Sequence, residues 1–178
     1  MRRKSVVNNI YLVGFMGTGK TSVGKELAKK KKWQFLDLDE LIELKERRII
    51  PDIFAKDGEP YFRRIEKRAL KEAAKEKKFV VACGGGVVID KENIRIMKNT
   101  GMIICLTATA EVILKRTAGY PRRPLLNVPE PKKQIELLLK LRASFYAQAD
   151  KAVDTSKISV KEVVARILKN NYKEKIAK

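Results

Sequence analysis

Histidine is absent from this 178-residue chain, and cysteine occurs only twice. Without histidine there is no imidazole general base, no Ser-His-Asp triad and no His-ligated metal. Two cysteines cannot build a structural zinc site. Both, Cys83 and Cys105, sit inside strand-like apolar runs and are expected as buried free thiols rather than a disulfide. No apolar run reaches the length that crosses a bilayer. The basic start Met1-Arg2-Arg3-Lys4 leads into no extended apolar segment, so neither a membrane partner nor a signal peptide is expected, and a cytoplasmic location is. Chemistry must rest on carboxylates, Lys, Arg, hydroxyls and an oxygen-bound metal such as Mg²⁺.

Acidic residues are scarce relative to basic ones, 21 against 40, for a formal charge of +19. Such an excess can mark a nucleic-acid binder. Here, however, Lys and Arg are interleaved with Glu and Asp at helical spacing. The main exceptions are Lys29-Lys30-Lys31-Lys32 and the tail from Lys169 to Lys178. Solvated helix faces account for that pattern, and no nucleic-acid partner is expected. Length and an ordinary hydrophobic content of 44% suit one globular domain over residues 1–178.

The stretch Gly14-Phe15-Met16-Gly17-Thr18-Gly19-Lys20-Thr21 follows the apolar run Ile10-Tyr11-Leu12-Val13 and opens into Ser22-Val23-Gly24-Lys25-Glu26-Leu27-Ala28. Strand, glycine-rich turn and helix is the setting in which G-x-x-x-x-G-K-[ST] binds phosphate. Gly14, Gly17 and Gly19 let the backbone take positive φ and approach a polyphosphate. Their N–H groups and the helix N-terminus form an anion site. Lys20 would reach the β/γ-phosphates of ATP, and the Thr21 hydroxyl would hold Mg²⁺.

Short apolar runs alternate with longer amphipathic segments, which predicts an α/β protein with a parallel sheet. Strands are expected at Asn9–Val13, Gln34–Leu38, Phe79–Cys83, Met102–Leu106 and Ala152–Asp154. The clearest helices are Thr21–Lys31, Tyr61–Lys75, Lys132–Gln148 and Val160–Lys169. The segment Gly119–Pro131 carries prolines at 121, 124, 129 and 131 with Arg122-Arg123. Prolines there preclude a regular helix or central strand, and a basic loop in a phosphate-binding enzyme is a candidate lid.

Asp37 and Asp39 close the second expected strand. Two apart, they should point together off its C-terminal end, where open α/β sheets bind ligands. Alternatively one merely caps a helix starting near Glu40. The strands expected at Phe79–Cys83 and Met102–Leu106 contain no Asp, so Asp37 is the best metal-side carboxylate. Asp57-Gly58-Glu59-Pro60 reads as a turn feeding a helix with Arg63 and Glu66 on one face. They form either an exposed intrahelical pair or a carboxylate grip held by Glu66. Gly84-Gly85-Gly86 directly after the third strand suggests close approach of a ligand to bare backbone rather than a flexible turn.

In this order, Gly-Phe-Met-Gly-Thr-Gly-Lys-Thr from 14, Phe-Leu-Asp-Leu-Asp from 35, Tyr-Phe-Arg-Arg-Ile-Glu from 61, Gly-Gly-Gly from 84, Arg-Pro-Leu-Leu from 123 and Arg-Ala-Ser-Phe-Tyr from 142 resemble the shikimate kinases, over about residues 8 to 169. The resemblance implies a three-layer α/β/α P-loop kinase fold with strand order 2-3-1-4-5 and a lid at about 117–131. It also implies transfer of the ATP γ-phosphate to the 3-hydroxyl of shikimate, by a monomer. It makes Lys20, Asp39 and Arg123 catalytic, with Asp39 on the substrate hydroxyls and Arg123 as the lid arginine. Thr21 and Asp37 would hold Mg²⁺. Gly14, Gly17, Thr18, Gly19, Lys20, Thr21, Ser22, Arg116, Arg123 and Ser156 would line the ATP site. Arg63 and Arg142 would clamp the shikimate carboxylate beside Gly84, Gly85 and Gly86. The lysine-rich tail 170–178 lies outside the resemblance.

Overall fold

Each of the five expected apolar runs becomes a strand of one parallel sheet. The computed structural model describes residues 8–118 and 128–169. The strands are β1 (Asn9–Val13), β2 (Gln34–Asp37), β3 (Phe79–Ala82), β4 (Gly101–Thr107) and β5 (Lys151–Asp154), in the order β2-β3-β1-β4-β5. Every neighbouring pair runs parallel. β1 lies at the centre with all five residues buried, as a strand covered on both faces requires.

The two-residue period of the strands decides which helices cover which face. Tyr11, Val13, Val81, Ile103 and Cys105 pack on one side against α2 (Leu38–Glu46), α3 (Ile50–Ala73) and α4 (Lys91–Thr100). Ile10, Leu12, Val80, Ile104 and Leu106 pack on the other against α1 (Lys20–Lys31) and α7 (Val160–Lys169). A third cluster, Phe15, Ile113 and Ile135, ties the loop after β1 to α5 (Ala110–Thr117) and α6 (Pro131–Tyr146). The three-layer α/β/α arrangement and its strand order are as the family resemblance implies.

Three details differ from that reading. β2 stops at Asp37 because Leu38 already opens α2, capped by the Asp37 carboxylate accepting from Asp39 N–H. Asp39 therefore sits in the first turn of a helix rather than on a strand, and α2 begins before Glu40. The helix expected at Tyr61–Lys75 is the second limb of α3, which bends at Gly58 (φ 78°, ψ 173°). Pro60, two residues past that bend, sits in a first turn where no i→i−4 donor is missed. Pro131 belongs to α6, at a first-turn position that suits its fixed φ. Most of the expected lid, residues 119–127, and the tail 170–178 lie outside the described residues.

The lysine run has a local explanation. Lys29, Lys30 and Lys31 form the last turn of α1, where cations meet the negative end of the helix dipole. Lys31 also lies 4.4 Å over the Trp33 ring.

Candidate active site

At the C-terminal edge of β1 the chain turns through Gly14, Gly17 and Gly19 at φ 136°, 77° and 94°, a region other residues rarely enter. Gly14 has a second constraint, since a side chain there would run into the Leu106 carbonyl. Thr18 is fully buried, its hydroxyl donating to Phe15 O at 2.7 Å. Lys20 Nζ donates to Gly14 O at 2.9 Å and Phe15 O at 3.0 Å, so its ammonium stands against the loop's own backbone. The first turn of α1 holds no acidic residue. A left-handed loop running into a helix N-terminus whose own first turn carries no acid is a site for phosphate. Ser22 is exposed in that first turn.

The Thr21 hydroxyl donates to Asp37 Oδ2 at 2.9 Å. One hydroxyl and one carboxylate, side by side at the mouth of a phosphate loop, are hard oxygen donors of the kind Mg²⁺ takes, leaving other positions for water and phosphate. No cluster of three or more His, Cys, Asp or Glu that could hold a metal occurs among the described residues. The donor set suits an ion that phosphate helps to bind.

Asp39 and Asp37 do converge, though through a helix cap rather than a shared strand face. Asp39 Oδ1 is buried without a hydrogen-bond partner, and so is Glu66 Oε1. Burial, then the neighbouring Asp37 and Glu66 carboxylates, push the Asp39 carboxyl up to about 7 against the opposing pull of Lys20. Glu66 is also raised by burial, with Arg63 opposing. Glu66 is fully buried, which rules out the exposed-pair reading of Arg63 and Glu66.

Arg63 is gripped from both sides. Nη1 donates to Glu66 Oε2 at 2.8 Å, while Nε and Nη2 donate to Glu59 Oε1 at 3.1 and 3.0 Å. Sequence reasoning overlooked Glu59, although its i, i+4 spacing to Arg63 was available as a signal.

The triple glycine brings these groups together. A methyl placed on Gly84 would lie 2.8 Å from Asp39 Oδ1 and 2.9 Å from Glu66 Oε1, and one on Gly86 would lie 2.5–2.7 Å from the Arg63 guanidinium. On Gly85 it would meet Arg142 Nη1 and Gly14 O at an ordinary 3.5 Å. None of the three has positive φ. The bare Cα positions of Gly84 and Gly86 make room for the protein's own carboxylates and guanidinium. Gly85 alone stands partly open.

Arg142 lies on α6 with its guanidinium 5.7 Å from the Phe15 ring centre, so it faces both the phosphate loop and Gly85. Arg116 donates to Gly17 O at 3.3 Å, to Thr155 Oγ1 at 2.9 Å and to Thr155 O at 2.7 Å. Thr155 Oγ1 in turn donates to Thr18 O and Thr107 O. Arg116 thus locks the phosphate loop to the turn after β5, a tie the sequence did not suggest. Ser156 Oγ accepts from Thr109 N–H at 3.0 Å at the same edge. Arg123 lies outside the described residues. Lys20, Thr21, Asp37, Asp39, Arg63, Arg142 and the glycine strap are brought to one end of the sheet, with Arg116 and Ser156 at its β4–β5 margin.

A family model described as Shikimate kinase matches residues 16–171. The chain is 44% identical over 163 residues to the shikimate kinase of Thermoanaerobacter pseudethanolicus, covering 92% of this chain and 95% of that one. It is 45% identical to that of Thermodesulfovibrio yellowstonii over 163 residues, 92% and 94% of the two chains. Among solved structures it is similar to the shikimate kinase from Acinetobacter baumannii in complex with shikimate (TM-score 0.88, 38% identity, 93% of each chain). The shikimate kinase of Aquifex aeolicus is also similar, with TM-score 0.79 and 36% identity over 90% of this chain and 94% of that one.

Proposed function

The chain belongs to the shikimate kinase family, and from that premise we propose which of its groups bind, orient and activate the two substrates. The enzyme phosphorylates shikimate at the expense of ATP, a step in aromatic amino acid biosynthesis. The residues doing so are the ones that converge on the glycine strap, within one domain spanning the chain.

The backbone N–H groups of Gly14–Lys20 and the Lys20 ammonium hold the polyphosphate, Lys20 exchanging its contacts with Gly14 O and Phe15 O for phosphate oxygens. Thr21 and Asp37 would hold Mg²⁺. When bound there, the ion neutralises charge building on the phosphate oxygens. Asp39 accepts the 3-hydroxyl of shikimate and takes its proton. Its carboxyl, raised to about 7, is matched to proton transfer near neutral pH. Arg63 and Arg142 take the substrate carboxylate, Arg63 as a planar fork aligned by the buried Glu66. Gly84–Gly86 supply backbone beside the ring. Arg116, Thr155 and Ser156 border the adenine, and Arg123 closes over the phosphates during transfer. The enzyme acts as a monomer in the cytoplasm, without nucleic acid.

One observation carries this reading. Three consecutive glycines bring Asp39, Arg142 and Arg63 together in order, and the open side of the middle one faces the phosphate loop at Gly14 O. An acceptor with a carboxylate at one end and a hydroxyl at the other spans that arrangement. ADP release from MgATP, measured with shikimate and in parallel with gluconate, nucleoside monophosphates and single-stranded DNA, tests it. Turnover with shikimate alone is expected, and turnover with another acceptor instead would overturn the carboxylate clamp.

A further inference from the structure

Tyr146 has no role in the arrangement above, yet it touches the strap at its only partly open glycine. Its hydroxyl donates to Gly85 O at 2.8 Å across 61 residues of sequence. It lies four residues after Arg142 on α6, so the two side chains leave the helix on the same face, one turn apart. Arg142 Nη1 meets that same glycine at the site where a methyl would lie 3.5 Å away.

Resting on the kinase reading, we propose that Tyr146 is a positioning residue that locks the Gly85–Gly86 peptide to α6 and so fixes the carboxylate clamp as one unit with Arg142. The mechanism follows from the planarity of the peptide. The Gly85 carbonyl and the Gly86 N–H belong to one trans unit and point in opposite directions. Holding the carbonyl toward α6 turns the Gly86 N–H away from it. Glycines have the widest conformational choice of any residue, so without the phenol this peptide can rotate and its donor direction is lost. Burial pushes the Tyr146 phenol up to about 12, so it remains a protonated donor at any pH at which the enzyme works. The packing of its ring is a separate matter. Tyr146 rests on the cluster of Tyr11, Val13 and Cys105, and phenylalanine would preserve that contact.

Tyr146→Phe separates orientation from packing. The KM for shikimate should rise about tenfold, the yield of one neutral hydrogen bond, while the KM for ATP and kcat stay within about threefold. An independent readout needs no substrate. In the ligand-free protein, ¹⁵N relaxation at the Gly85 and Gly86 amides should show greater motion in Tyr146→Phe than in the wild type, with β1 and β3 amides unchanged. A rigid strap in the variant would overturn the proposal whether or not shikimate proves to be the acceptor. So would an unchanged shikimate KM, or equal losses for both substrates together with a fall in Tm. A wild type that turns over a different acceptor would instead overturn the shikimate assignment, leaving the relaxation result to decide on Tyr146.

Discussion

Substituting alanine at Gly84 and at Gly85 separately should give opposite results, although the residues are adjacent and neither has positive φ. Neither site imposes left-handed backbone on the new residue, and the contrast follows from space. At Gly84 the new methyl meets Asp39 Oδ1 at 2.8 Å and Glu66 Oε1 at 2.9 Å, well inside carbon–oxygen contact. Neither carboxylate can retreat freely. Asp39 is in the first turn of α2 with its N–H bonded to Asp37, and Glu66 is fully buried and tied to Arg63. Overpacking of this kind costs about 1–3 kcal/mol. For a chain of this length that lowers Tm by roughly 2–4 °C per kcal/mol, or about 2–12 °C in all. Catalysis should suffer more, since displacing a reacting group by about 1 Å can cost 10²-fold. At Gly85 the nearest atoms stand 3.5 Å away, ordinary contact, so Tm should move by less than about 2 °C. Thermal melts and shikimate-dependent ADP release on both variants provide the assay. Equal behaviour of the two, or a Gly84→Ala enzyme with wild-type Tm and kcat/KM, would refute the account of the strap as a space-making device.

Arg63→Lys keeps the charge but loses the fork, so the shikimate KM should rise about 10- to 100-fold with the ATP KM little changed; equal effects on both would remove Arg63 from the clamp. Asp39 must ionise to accept a proton, so kcat/KM for shikimate should climb with pH through about 7 and then level, and a flat profile would sink its role. The stability of the ligand-free protein should run the opposite way. A carboxyl raised above its unfolded value of 3.8 contributes most at low pH, and that contribution is lost as pH rises through about 7, a trend that melts of Asp39→Asn should lack. Thr21→Ala should raise the Mg²⁺ concentration needed for half-maximal rate about tenfold at fixed ATP; an unchanged Mg²⁺ titration would take the metal elsewhere. Arg123→Ala should lower kcat about 10²-fold with shikimate affinity nearly constant, and lost affinity at constant kcat would reverse that assignment.

The sheet and phosphate loop were legible because their signals are local. Five apolar runs with intervening amphipathic segments produced the strand positions, and eight residues from Gly14 to Thr21 carried the loop chemistry. Asp37 and Asp39 were read as partners correctly but through the wrong geometry, because a strand that turns into a helix within one residue leaves no mark on the apolar pattern. The side chains packed around the glycine strap were not legible in the sequence. Its neighbours Asp39, Arg63 and Glu66 arrive from 18 to 45 residues earlier in the chain, and nothing near positions 84–86 announces them. The same holds for Arg116 on Thr155, 39 residues apart, and Tyr146 on Gly85. Glu59, four residues before Arg63, was within reach of a helical reading and was overlooked because the bend at Gly58 obscured where that helix begins.

Glu59 changes what recognition at Arg63 involves. Its carboxylate occupies Nε and Nη2 of the guanidinium, and its own side chain is 61% exposed. On the clamp proposed above, an incoming acid evicts a glutamate that returns to water at little cost, while the buried Glu66 keeps its hold on Nη1. Binding at this fork is an exchange of one anion for another, with the count of ion pairs unchanged. A neutral amide or ester of the same shape has nothing to offer in that exchange and meets a competitor already in place. On that reading Glu59 acts as a gatekeeper against uncharged analogues.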